Sequence, residues 1–281
     1  MLRRAACGLA LAGSLLAGSA HAQQAVAQQP GDVGPEPIEA SGPSDSTITA
    51  SIGVSGWSGD FGAPTETNIT SAIIGVRYQH GGLRLSALIP RMRIESEGSF
   101  FTGLGGTPLF VAPGIPADRR VRKGWGDLTL GASYLLPGAE TRGFDIDLTG
   151  RIKLPTASDS SGLSTGKVDY SAGVEISKSY GPLTPAASVT YRVFTDSGPW
   201  RFNNGFAVTA GASYIVAPST AVVATYEYAA ATNRFIDDSH EAILGVSTQI
   251  VPRLRVTGYA SKGLSDGAAD VSSGVSLAFT F

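Results

Sequence analysis

Apolar and polar residues alternate along most of this 281-residue chain, from about position 46 to its end. A period of two puts successive side chains on opposite faces, which is the mark of a β-strand with one apolar face. One phrase recurs inside the alternation: Gly, then Val or Ala, a variable residue, and usually Tyr or a bulky aliphatic. Its six copies are Gly75-Val76-Arg77-Tyr78, Gly131-Ala132-Ser133-Tyr134, Gly173-Val174-Glu175-Ile176, Gly211-Ala212-Ser213-Tyr214, Gly245-Val246-Ser247-Thr248 and Gly274-Val275-Ser276-Leu277. Turn signals follow the first five, and the sixth runs into the last residue, Phe281. Six such hairpins predict twelve strands. A repeated hairpin with one oily face is the pattern of an all-β, closed, antiparallel, up-and-down transmembrane barrel.

The pattern predicts strands over 46–58, 68–79, 83–95, 125–136, 144–154, 167–179, 183–194, 205–216, 221–230, 240–250, 254–262 and 269–281. Connections after even strands are short and carry Gly81-Gly82, Pro137-Gly138, Gly181-Pro182, Pro218 or Pro252; those after odd strands, 59–67, 96–124, 155–166, 195–204 and 231–239, are mostly longer. Short periplasmic turns and longer outer loops are barrel topology. A soluble sandwich or solenoid has no reason to sort its loops this way.

The faces agree with that topology. In the fourth strand Leu128, Leu130, Ala132, Tyr134 and Leu136 oppose Asp127, Thr129, Gly131 and Ser133. Lipid offers no hydrogen-bond partners, so the apolar set points outward. Tyr78, Tyr134 and Tyr214 fall on outward positions near short turns, and with Phe281 they form an expected aromatic girdle at the periplasmic interface. The six repeat glycines face inward. Two readings attach to them: relief of crowding where a small barrel bends, or room for a permeant.

The N-terminus changes the compartment. Arg3 and Arg4, the apolar run from Gly8 to Ala17 and the Ala20-His21-Ala22 site make residues 1–22 a signal peptide cleaved after Ala22. Residues 23–45 are rich in Gln, Pro and Glu and are expected to be a disordered periplasmic leader. The barrel is then 46–281, in the cell outer membrane of a Gram-negative organism. Cys7 is the one cysteine and lies in the signal segment, so disulfide chemistry is excluded from the mature chain. The net charge of −2 is too balanced for a nucleic-acid partner. The alternating Ser276-Leu277-Ala278-Phe279-Thr280-Phe281 resembles the C-terminal signal read by barrel-assembly machinery.

Two stretches carry a family resemblance. Gly124-Trp125-Gly126-Asp127-Leu128-Thr129-Leu130-Gly131 is one. The other begins Lys153-Leu154-Pro155-Thr156 and continues through Ser164-Thr165-Gly166-Lys167-Val168-Asp169-Tyr170. They resemble the G-x-G-D strand and the K-L-P-T-G…G-T-G-x-x-D-Y segment of the outer-membrane family named for the "MetA pathway" of phenol degradation. The resemblance covers about 83–281 and departs at Ala157, where the family usually has Gly. It implies an outer-membrane transporter, often of hydrophobic or aromatic compounds.

Inward parity also collects charge: Arg77, Arg84, Asp127, Asp145, Asp147, Arg151, Lys153, Asp169, Glu175, Arg192, Glu227, Glu241 and Arg255. With both signs mixed, these residues are expected either to lock a narrow lumen through cross-strand ion pairs or to line a polar path. The 96–124 loop is oily, with Phe100, Phe101, Leu104, Leu109, Phe110, Val111 and Ile115. That apolar surface is unfavourable in water, and three placements relieve it: a constriction folded inward, a cap on the mouth, or a docking patch for apolar ligands. Arg119, Arg120, Arg122 and Lys123 follow, with two readings open: contact with lipopolysaccharide phosphates, or a solvated loop end.

No catalytic set is expected. His240 follows Asp237 and Asp238, but a surface protease needs further paired carboxylates on a facing strand, and no Ser-His-amide set stands out. No cofactor or metal is implied. The reading is a barrel that passes small, hydrophobic or aromatic molecules, with Phe100, Phe101, Leu104 and Phe110 meeting the ligand. The alternative is a structural or surface-interaction barrel with a sealed lumen. Outer-membrane lipids, lipopolysaccharide and the barrel-assembly machinery are the expected partners.

Overall fold

The computed structural model describes residues 46–61, 65–112, 120–137 and 143–281, with the side chains of 111 and 112 left aside. The signal peptide, the leader, Ile115 and Arg119 lie outside these residues, as does the side chain of Val111. The strands are β1 (Ser46–Gly59), β2 (Thr67–His80), β3 (Leu83–Ser96), β4 (Ser99–Thr102), β5 (Pro108–Ala112), β6 (Arg120–Trp125), β7 (Leu128–Leu135), β8 (Asp145–Leu154), β9 (Asp169–Ser177), β10 (Leu183–Val193), β11 (Gly205–Ala217), β12 (Thr220–Ala229), β13 (Ser239–Val251), β14 (Leu254–Gly263) and β15 (Val271–Thr280). Single 3-10 turns occur at Leu104–Gly106 and Asp159–Ser161.

Each barrel strand pairs antiparallel with its neighbours in chain order. β15 returns to β1, with Ser51 opposite Ala278, and closes the sheet. β6 and β7 both pair with β3 and are two halves of one strand, so the closed barrel has twelve. Closure leaves no backbone edge facing lipid, as an apolar solvent requires.

The break between β6 and β7 has a local cause. Pro90 on β3 has no N–H to donate, and its carbonyl accepts the Gly126 N–H at 2.8 Å. This corrects the expected start of the fourth strand. It begins at Arg120 rather than near 125, so the end of the 96–124 segment is strand and not loop.

Outward positions are apolar along the strands, among them Ile52, Ile74, Leu85, Val174, Leu244 and Leu277. Tyr78, Tyr134, Tyr214 and Phe281 are exposed on that face near the short turns. A second outward belt stands at the other end: Trp125, Tyr170, Tyr191, Phe206 and Tyr226. Tyr170, Tyr191, Phe206 and Tyr226 follow the parity of their strands; Trp125 points outward because the break between β6 and β7 reverses the alternation.

Of the repeat glycines, a Cβ at Gly173 would sit 2.7 Å from the Val189 carbonyl, and one at Gly274 would sit 2.5 Å from the Tyr259 ring. Close approach, and not an open passage, explains glycine at these two positions. Gly245 has ordinary room.

Candidate functional site

The oily loop folds into the barrel. β4 and β5 form a small hairpin, with Phe100 opposite Phe110, and the 3-10 turn at Leu104–Gly106 is its tip. Apolar residues on the inner wall receive it. Trp57, Ile69, Met92 and Ile94 join Phe100, Phe110 and Leu163 in one buried cluster. Phe100 is 1% exposed and stacks edge-on between Phe61 and Phe110, at 5.3 and 5.1 Å between centroids. Phe61 adopts a left-handed backbone (φ 51), a strained conformation for a bulky residue that persists where packing holds it.

The inward face is therefore not uniformly polar. In the outer third of β1 to β3 it turns apolar where the hairpin docks. The signal lay in the sequence: Ile69, Ile73, Met92 and Ile94 share parity with inward Gly75 and Arg84, beside an oily loop.

Polar groups fasten the hairpin to the adjoining stretch of wall, at the β6–β7 break, β8 and β9. Lys153 on β8 is fully buried between Asp127 (3.3 Å) and Asp169 (2.7 Å). Its ammonium also donates to the Thr102 carbonyl at 3.3 Å and to Thr165 Oγ1 at 3.1 Å. The Thr102 N–H and hydroxyl both donate to the Leu163 carbonyl, at 2.8 and 2.9 Å. Asp127 accepts from the Ala157 N–H (3.1 Å) and the Ser164 hydroxyl (2.7 Å), while Asp169 accepts from the Thr195 N–H (2.9 Å). A buried charge is stable only when paired and hydrogen-bonded, and here each of the three is. Gly126 leaves the space that Thr102 fills; a Cβ there would also press on Pro90 at 2.9 Å. At the tip, the Gly105 N–H donates to Thr129 Oγ1 at 3.2 Å.

The opposite wall touches the hairpin through Phe194, which clusters with Leu104 and Leu109, and otherwise stands off it. Between them lies a cavity of about 160 Å³. Phe100, Leu104, Leu109 and Phe110 line it from the hairpin; Trp57, Phe61, Phe194, Ile236, Ala229 and Ala268 line it from the barrel and its loops. Its charged members are Arg192, Glu227, Glu241 and Asp237, and Thr107, Thr232 and Ser239 add hydroxyls. Asn233 donates to the Phe110 carbonyl at 2.8 Å and ties the β12–β13 loop to the hairpin. Beneath it is a narrower space lined by Thr149, Arg151, Ser171, Glu175, Ser188 and Thr209. Leu104 and Arg192 line both spaces and form the partition between them.

Toward the periplasmic end the lumen is polar. Arg84 pairs with Asp147 and donates to Ser133 Oγ at 2.8 Å. Hydroxyl pairs bridge adjacent strands, Thr220 with Thr248 at 2.8 Å and Thr49 with Thr280 at 3.1 Å, and Arg255 donates to Ser247 at 3.0 Å.

The sequence-derived residues thus fall into separate groups. Asp127, Lys153 and Asp169 meet in the wall behind the hairpin, away from the open space. Arg84 and Asp147 meet below, with Arg77, Arg151 and Glu175 as charged neighbours. Arg192, Glu227 and Glu241 face the cavity. Asp145 and Arg255 sit on inward positions near the periplasmic turns. Of the four loop residues expected to meet a ligand, Phe100, Leu104 and Phe110 line the cavity, and Phe101 does not, because it alternates to the other side of the hairpin. Leu109, Trp57, Phe61 and Phe194 line it without having been singled out for a ligand; only folding brings them together. His240 faces outward and meets Tyr226 at 2.5 Å, whereas Asp238 accepts from Tyr228 at 2.9 Å.

Residues 39–281 match the family described as "Putative MetA-pathway of phenol degradation". The chain belongs to that family. The two stretches that resemble its pattern supply Asp127, Lys153 and Asp169, so the motif builds the buried ion triad and the hairpin's anchorage. Ala157, where the resemblance expects Gly, donates its N–H to Asp127 from a backbone whose φ is not positive.

No curated protein matches the chain. Among solved structures, the NanC porin is similar with a TM-score of 0.50 at 10% identity, over 83% of this chain and 98% of that one. The KdgM porin gives 0.49 at 12% identity over 82% and 99%. The CymD monoaromatic hydrocarbon channel gives 0.46 at 10% identity over 85% and 88%. Identities this low speak to the barrel fold alone.

Proposed function

We propose that this barrel sits in the outer membrane and passes small hydrophobic or aromatic molecules, captured first in the cavity beside the infolded hairpin. The carrying observation is the cavity itself: about 160 Å³, walled largely by aromatic and aliphatic side chains, at the outer end of the lumen. Apolar cavities on the order of 150 Å³ hold one benzene-sized ring. From there the molecule passes the Leu104–Arg192 partition into the lower lumen. The family description, which names phenol degradation, agrees with this class of cargo. Export through the inner membrane with cleavage after Ala22, and recognition of β15 and Phe281 by the barrel-assembly machinery, belong to the same proposal.

The test is uptake of a labelled monoaromatic by Gram-negative cells with intact lipopolysaccharide. Cells without the barrel, with the wild type, and with Ala229→Phe are compared. Ala229 lines the cavity, and the added ring fills it without touching the hairpin's anchorage. Uptake raised by the wild type and abolished by Ala229→Phe is the expected result. One observation favours a second reading, a sealed structural barrel: the Arg84–Asp147 pair and the hydroxyl bridges cross-link the lower wall. Equal uptake in all three strains selects it.

A further inference from the structure

Charge on the lipid-facing side of the strands is concentrated at one place. Arg91 and Arg93 on β3 and Lys123 on β6 all point outward and are exposed. The register sets Arg93 directly opposite Lys123 and Arg91 opposite Trp125. Like charges directly opposite across a strand pair repel. Glu95, 3.6 Å from Arg93, offsets only part of this charge. Among the described strand residues the other outward Lys or Arg is Lys262, on β14. The charged face also has a fixed depth. Leu83 starts β3 at the periplasmic turn, and Arg91 lies eight residues further on. At about 3.3 Å per residue and a tilt of about 40°, Arg91 stands about 20 Å and Arg93 about 25 Å above it, at the far edge of an apolar band about 25 Å tall. The Arg91 guanidinium lies over the Trp125 ring, 5.9 Å from its centroid, and this outward Trp marks the same level.

We propose that Arg91, Arg93 and Lys123 form a binding site for the phosphate groups of lipid A in the outer leaflet, with its acyl chains lying along β3 and β7. Two guanidinium groups and an ammonium on one face of adjacent strands match a bisphosphorylated headgroup, and bound phosphate removes the Arg93–Lys123 repulsion. The basic run at 119–123, expected to face lipopolysaccharide as a block, is thereby divided. Arg122 points inward and donates to the Gly98 carbonyl, Arg120 shares its parity, and β3 supplies the missing cations. The inference rests on the outer-membrane reading above but not on transport.

The experiment is retention of lipids by the purified, folded barrel in native mass spectrometry, which no failure of uptake can affect. The probes are bisphosphorylated lipid A, the same lipid without phosphates, and phosphatidylglycerol. The wild type is expected to retain bisphosphorylated lipid A at least tenfold more tightly than either other lipid. The variant Arg91→Gln/Arg93→Gln/Lys123→Gln should lose that preference, and Lys262→Gln should keep it. Equal retention of the phosphate-free lipid overturns the site, as does a triple variant that keeps its preference; equal retention of phosphatidylglycerol overturns lipid A as the occupant. Should the triple variant not fold, the wild type decides alone. Lipid A retention must then fall steeply with rising salt, and a flat salt response overturns the proposal.

Discussion

The two walls of the outer lumen treat the same hairpin in opposite ways. The wall running from β1 to β9 holds it, with an apolar cluster on β1 to β3 and a buried ion triad of Asp127, Lys153 and Asp169, so hairpin and wall form one packed body. The wall of β10, β12 and β13 touches it through Phe194, just past β10, and through the Asn233 hydrogen bond from the adjoining loop, and otherwise faces it across a cavity. The candidate site is therefore what remains after one side has been filled. Its shape depends on residues that never touch the open space.

That contrast is most sharply broken at Lys153. Lys153→Met leaves Asp127 and Asp169 buried without their cation, a loss of about 3–5 kcal/mol for a broken buried ion pair. Unfolding in urea, followed by the gel shift of the folded barrel, should show it. The hairpin should also leave its wall, giving a larger single-channel conductance. Unchanged conductance would mean that the apolar cluster holds the hairpin unaided. Phe100→Ala tests that cluster. Removing a fully buried ring costs about 3 kcal/mol, and the cavity should enlarge enough for two-ring aromatics to enter in uptake assays.

Arg84→Ala acts on the polar lower lumen instead. It leaves Asp147 without its guanidinium in a partly buried site, at roughly 1–3 kcal/mol. If the lower lumen limits passage, ion conductance rises while cavity occupancy by an aromatic probe stays the same; if conductance is unmoved, the constriction is the Leu104–Arg192 partition.

The smallest expected effect is in the loop that ties the open wall to the hairpin. Hydrogen bonds from the Ala231 N–H and then the Tyr228 hydroxyl hold the Asp238 carboxyl below its ordinary value. A depressed carboxylate contributes stability above its unfolded pKa and loses it as pH falls through the folded one. The loop should loosen only on acidification below the usual carboxylate range. The Ala231 amide resonance should report this in the wild type and show no such titration in Asp238→Asn.

Much of the fold was legible because a barrel strand has a short period and a fixed boundary condition. Lipid demands apolar residues at every second position, so strand number, order and the outward set follow from local sequence. The break at Gly126 was not legible, since it depends on Pro90 across the sheet and Thr102 pressing from within. The site was half legible. Phe100, Leu104 and Phe110 stood out as an oily loop, but three placements of that loop satisfied the same composition. Phe101 was grouped with them because nothing in composition shows which side of a short hairpin faces the cavity.

The alternation and the repeated glycine phrase determined the closed barrel, its twelve strands and its lipid-facing surface by themselves, because each strand answers to the membrane independently. The tertiary structure decided where the loop goes, that Asp127, Lys153 and Asp169 meet on one ammonium, and that a ring-sized space is left over. Those outcomes depend on side chains from distant strands competing for one small interior, and no local pattern encodes which of them fill it.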